Sequence, residues 1–116
     1  MSGDRMRRVD EAVREVLSDA IASDLKDPRV GFVTVTAVQT SADLRHARVY
    51  VSVLGDDAIR ERSLAGLRSA HGYLQGRVGG ELHLKHTPEL RFLYDDTAER
   101  AARLEELIDA EKDATA

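Results

Sequence analysis

His83-Leu84-Lys85-His86 sets two imidazoles three positions apart, and imidazoles can ligate a metal or shuttle protons. In an extended stretch those two side chains point to opposite faces. No Asp, Glu or Cys accompanies them at ligand spacing, so they read as solvated histidines near the start of a strand. Asp56-Asp57 and Asp95-Asp96 place carboxylates side by side, but each pair stands where a helix begins, and capping accounts for it. There is no P-loop, no GxGxxG and no HExxH. The chain has no cysteine, which removes disulfides and thiolate metal sites. What remains is ionic chemistry: cations meeting phosphate. Arg5, Arg7 and Arg8 cluster near the start, and Arg45 and Arg48 follow in the middle. Gly76-Arg77-Val78-Gly79 and Ala70-His71-Gly72 offer glycines beside cationic groups, where a backbone can approach a ligand closely.

Charge supports that reading only once it is divided. The 116 residues carry 17 basic and 21 acidic side chains, a net of −4. Residues 95–116 hold three basic residues against eight acidic, a net of −5. The stretch from Arg45 to Arg91 holds eight basic against five acidic, and all four histidines fall within it. An acidic tail therefore hides a mildly basic middle, and the distribution permits a nucleic-acid partner. The length fits one small domain. No apolar run approaches the roughly 20 residues that span a bilayer, and Met1–Arg8 leads into no secretory apolar region. A cytoplasmic protein without membrane contact is expected.

The elements that must position these groups follow from periodicity. Val9, Ala12, Val13, Val16, Leu17, Ala20 and Ile21 form one stripe, predicting a helix over roughly Asp4–Leu25 with Asp4 as N-cap. Lys26-Asp27-Pro28 ends it, because the residue before proline is pushed out of the α region. The three N-terminal arginines oppose the helix dipole, at about 0.3–1 kcal/mol each at most. Residues 32–38 alternate, with Val33, Val35 and Ala37 inward. Residues 45–54 alternate as well, with Ala47, Val49, Val51 and Val53 inward. The two runs read as an antiparallel hairpin. A helix over 57–70 passes through a bend near Gly72 into a second helix, which the glycines should end at Gly79-Gly80. Residues 88–94 form a third strand. Asp96-Thr97-Ala98-Glu99 has capping-box spacing and opens a last helix to about Asp109, with a fraying end beyond. The order αββααβα is a two-layer α+β sandwich. Its open sheet face carries Thr34, Thr36, Arg48, Tyr50, Ser52 and Arg91.

Two helices meeting at a glycine bring a helix N-terminus to the surface, an arrangement that attracts phosphate. KH domains use it through a GxxG loop that clamps a nucleic-acid backbone. Gly76-Arg77-Val78-Gly79 is the literal match, while Ala70-His71-Gly72 occupies the bend.

Here the chain resembles the ribosome-binding factor A family, from about Arg5 to Ile108. The resemblance rests on the first helix running into Asp27-Pro28-Arg29-Val30-Gly31, and on Val33-Thr34-Val35-Thr36 with Ala47-Arg48-Val49-Tyr50-Val51. It rests also on Ala70-His71-Gly72 as an Ala-x-Gly kink, and on Thr87-Pro88-Glu89-Leu90-Arg91-Phe92. It departs at Gln75, where family members often carry arginine. The resemblance implies a type II KH-like domain, αββααβ plus a C-terminal helix, with a three-stranded mixed sheet and helices on one face. It implies no catalysis and no cofactor. The implied partners are the free 30S subunit and its 16S rRNA, near the 5′-terminal helix region, in late subunit maturation and cold adaptation. A monomer off the ribosome is expected, with residues 1–96 as the RNA-binding domain and 97–116 as helix and acidic tail.

The residues expected to meet RNA are Arg5, Arg7, Arg8, Arg45, Arg48, Arg68, Ala70, His71, Gly72, Arg77 and Lys85. With few aromatics, selectivity would come from RNA shape. Two other classes compete. A protein–protein adaptor would use the acidic tail and a helix face. A small acylphosphatase-like enzyme would need an asparagine, and the chain has none.

Overall fold

The computed structural model describes residues 2–115, in the order α1 (Ser2–Ser23), β1 (Val33–Thr40), β2 (His46–Val53), α2 (Asp57–Ser69), α3 (His71–Glu81), β3 (Glu89–Tyr94) and α4 (Thr97–Thr115). The strands lie in the order β1-β2-β3. β1 and β2 are antiparallel and β2 and β3 parallel, so the sheet is mixed. Helices cover one face and leave the other open. This is the α+β, KH-like arrangement that the sequence implies.

The core lies between α1, α2 and α3 and the covered sheet face. Val13, Val16, Leu17, Ala20 and Ile21 of α1 are buried, as the stripe requires. They meet Ala47, Val49, Val51 and Val53 of β2, Leu90 and Phe92 of β3, and Leu64, Leu67, Leu74 and Val78 of α2 and α3. Burying each large apolar side chain contributes about 1.5–3 kcal/mol. Among the described residues, Ser63 is the one buried polar side chain. Its hydroxyl accepts from the Gly31 amide at 3.1 Å and donates to the Arg29 carbonyl at 3.3 Å, which ties the α1–β1 connection to α2. Gly66 lets that connection lie close, because a Cβ there would stand 2.6 Å from Val30 Cγ2.

Several boundaries differ from expectation, each for a local reason. α1 begins at Ser2, so Asp4 sits inside the first turn and pairs with Arg7 instead of capping. The helix stops at Ser23, where the next carboxylate, Asp24, is held by α3. The inward alternation of β1 breaks between Val35 and Ala37, where a bulge inserts Thr36. Val38, not Ala37, therefore enters the core. α3 runs past Gly79-Gly80 to Glu81. α4 is capped by Asp95, which accepts from the Thr97 amide at 3.0 Å, while Glu99 accepts from the Tyr94 hydroxyl instead of reaching back to Asp96. It is helical to Thr115, beyond the expected end near Asp109. Among the described residues, no helix is long and apolar enough to cross a membrane.

Candidate nucleic-acid interface

The first turns of α1, the loop between β1 and β2, and the connection from α3 to β3 meet at one end of the sandwich. Their meeting line is an open groove of about 1240 Å³. Met6, Val9, Ala12, Leu44, Leu82 and Leu84 line it with half-buried apolar surface. Arg5 and Arg8 come from α1, Arg45 from the hairpin, and Lys85, His83 and His86 from the last connection. The loop is set by a side chain. The Asp43 carboxylate accepts from the Ser41 hydroxyl at 2.6 Å and from the Arg45 amide at 3.1 Å. The Ser41 bond leads in holding Asp43 below the ordinary carboxylate range. Leu44 then adopts φ 61°, a conformation that costs a branched side chain about 1–2 kcal/mol, and its side chain lines the groove.

The groove's cations are largely uncompensated. Arg5, Arg8 and Lys85 have no side-chain partner among the described residues, and the Arg45 guanidinium stands 3.9 Å from Asp43. Of the two acids lining the groove, Asp43 is bound within its own loop and Glu81 is paired to Arg77 at 3.1 Å.

A second hollow shares Arg45, Lys85 and His86 with the groove and adds His46, His71, Gln75, Thr87 and Glu89. It leads to the break between α2 and α3. Ala70, at φ −90° and ψ 6°, is both the last cap of α2 and the first cap of α3. No side chain caps α3, so its first-turn amides are left for solvent or a ligand. The bend is therefore made at Ala70, two residues before Gly72. Around Gly72 there is open space, with nothing within 4 Å of where a Cβ would stand. No packing demand explains a glycine there.

The remaining residues expected at the site lie elsewhere. Arg7 is paired with Asp4 at 3.1 Å, one helical turn away on α1. Arg68 donates from its guanidinium to the Phe92 carbonyl at 3.1 Å, fastening α2 to β3. Arg48 lies on the open sheet face. Gly76-Arg77-Val78-Gly79 lies within α3 and not in a loop, and Arg77 is bound to Asp19, Asp24 and Glu81. The structure thus brings together Arg5, Arg8, Arg45, Lys85 and His71, and separates Arg7, Arg48, Arg68 and Arg77 from them. It also places His83 and His86, which the sequence reading set aside, with His46 and the expected His71, so that all four histidines line the groove or the adjoining hollow. Their common placement at the strand starts and the helix break has no local sequence signature.

Residues 5–108 match the family model described as ribosome-binding factor A. Ribosome-binding factor A of Halothermothrix orenii is 44% identical over 108 residues, covering 93% of this chain and 88% of that protein. That of an Anaeromyxobacter species is 50% identical over 105 residues, covering 90% and 86%. The crystal structure of ribosome-binding factor A from Thermus thermophilus superposes with a TM-score of 0.69 at 27% identity, covering 77% of this chain and 94% of that one. A homology model of the Thermus thermophilus protein, fitted into a cryo-EM map of a 30S–RbfA complex, gives a TM-score of 0.62 at 28% identity, covering 74% and 90%.

Proposed function

Since this chain belongs to the ribosome-binding factor A family, we propose that it is a cytoplasmic, non-catalytic assembly factor that binds the free 30S subunit and assists late maturation of 16S rRNA. The observation that carries the reading is the convergence of Arg5, Arg8, Arg45 and Lys85, from three segments distant in sequence, on one open groove beside an uncapped helix start. That is a surface for phosphates. The cations neutralise the backbone, the apolar lining excludes water beneath it, and the first-turn amides of α3, at His71 and Gly72, lie open to a further phosphate. Binding energy applied to RNA shape is the whole mechanism: an immature rRNA conformation is held until it no longer fits. The fitted complex of the Thermus thermophilus relative supports the 30S subunit as partner.

The test removes three unpaired charges together, Arg5→Gln, Arg8→Gln and Lys85→Gln, with Arg62→Gln as a control on exposed α2 surface. Co-sedimentation with free small subunits should weaken by at least about tenfold, and the slope of log affinity against log salt should fall by about two. The control should change neither by a comparable amount. Unchanged binding by a folded triple variant overturns this reading, as does binding that survives ribonuclease digestion of the subunit's RNA.

A further inference from the structure

On the open face of the sheet, β2 and β3 place Arg48 and Arg91 as direct register partners, and β1 places Gln39 beside Arg48. Side chains so paired stand about 5 Å apart at Cβ, and like charges there destabilise a sheet. Neither guanidinium has a side-chain partner among the described residues. The carboxylate on the same face, Glu89, faces His46 at 4.0 Å. The fold therefore holds two adjacent arginines, both exposed, with no direct ion-pair partner among the described residues. Gln39, Arg48 and Arg91 share a concavity of about 470 Å³, separate from the groove on the helix side.

The chemistry that relieves this pairing is an oxyanion with several oxygens. Two guanidinium forks side by side match the oxygens of a phosphate, and the Gln39 amide adds a neutral donor. Tyr50 lies one row further along the same face, opposite Leu93, and offers a flat surface beside the charged row. His46 and Glu89 line both this concavity and the hollow that contains Arg45, Lys85 and His71. The two hollows are thus continuous round the N-terminal ends of β2 and β3, with Arg45 and Lys85 on one side and Arg48 and Arg91 on the other. We propose that Arg48 and Arg91 form a second phosphate contact, which carries a bound RNA strand from the helix-side groove onto the open sheet face. The proposal rests on the reading of the groove as an RNA surface, and adds to it a second face and two residues in a defined pair.

The experiment uses the full chain with Arg48→Gln, Arg91→Gln and the Arg62→Gln control, each checked by thermal melting. In phosphate-free buffer, Arg91→Gln should melt at or above the parent, because a repulsion is removed. Its affinity for free small subunits should fall about fivefold, with a salt slope lower by about one. The double variant should lose little beyond either single change, because both act on one phosphate. Inorganic phosphate and pyrophosphate, added alone, should raise the melting temperature of the parent more than that of either variant. If the small anions discriminate but subunit binding does not change, the pair is an anion site outside the RNA path, and the proposal falls. Losses equal to that of Arg62→Gln also overturn it. Groove variants that lose binding while Arg91→Gln keeps it leave the groove reading intact and remove this one. The reverse pattern removes the groove reading and leaves the open face as the contact.

Discussion

Arg77 is surrounded by acid. Its guanidinium meets Asp24, Asp19 at 3.0 Å and Glu81 at 3.1 Å, and the Tyr73 hydroxyl donates to Asp24 at 2.5 Å. The Tyr73 bond leads in holding Asp24 below the ordinary carboxylate range, with the Arg77 charge helping. Hydrogen bonds, to Asp19 first, hold Arg77 above its ordinary value. The knot fastens α1 to α3, so Arg77→Ala should lower the melting temperature yet leave the salt slope of subunit binding unchanged. The pH dependence has a definite sign. Because the folded-state value of Asp24 is depressed, its contribution is present above the ordinary carboxylate range and lost as pH falls through the depressed value. The melting-temperature gap between parent and Arg77→Ala should therefore narrow on acidification below about pH 4, the ordinary carboxylate value. A constant gap from pH 7 down to pH 2 would contradict the assignment. Arg77 looks like a phosphate ligand in the sequence because it stands inside a GxxG. Two of its three acidic partners are 58 and 53 residues away, and no local pattern announces a pairing over that distance.

The helices and strands were legible because their burial is periodic. Val13, Val16, Leu17, Ala20 and Ile21 repeat at helical spacing, and Ala47, Val49, Val51 and Val53 repeat at two, and all nine are buried. The exceptions are places where a tertiary contact overrides the local signal. Thr36 leaves the β1 alternation, and its hydroxyl donates to Asp95 at 2.6 Å. The glycines of α3 should weaken it by about 1 kcal/mol each, yet the helix persists because Leu74 and Val78 are fully buried. These glycines are not equivalent. A Cβ at Gly76 would meet nothing within 4 Å, whereas one at Gly79 would stand 2.8 Å from Thr87 Oγ1. Gly76→Ala should stabilise the protein by up to about 1 kcal/mol through helix propensity alone. Gly79→Ala should destabilise it by about 1–3 kcal/mol, because Thr87 and the groove-lining connection behind it must shift. Denaturant titration of the two variants reads the difference. Equal shifts in the same direction would mean that Thr87 moves freely and that Gly79 does not hold the connection in place.

At the scale of the whole molecule, charge is sorted by position. The unpaired cations of the groove and the open sheet face belong to the packed body, whereas the acid is concentrated in α4. Every described residue of α4 is exposed, including Leu104 at 59%, Leu107 at 68% and Ile108 at 43%. The apolar side that the sequence shows there is real as a pattern but meets no core, because helical spacing specifies a face and not what covers it. The start of the helix is tied by Asp95 accepting from the Thr97 amide, Arg100 on Asp96 at 3.1 Å, and the Tyr94 hydroxyl donating to Glu99. A chain ending at Arg100 keeps those contacts and removes residues 101–116, which carry two basic residues against five acidic. Its unfolding free energy should change by no more than about 0.5 kcal/mol, since nothing buried is lost. Its circular-dichroism helix signal should fall, and it should bind small subunits more tightly at low salt, because a repelling charge of −3 has gone. The advantage should fade as salt is raised, which separates a field effect from a lost contact. If the shortened chain instead bound more weakly at every salt concentration, α4 would be holding a partner through Leu104, Leu107 and Ile108. The factor would then grip the subunit through a protein contact as well as through RNA.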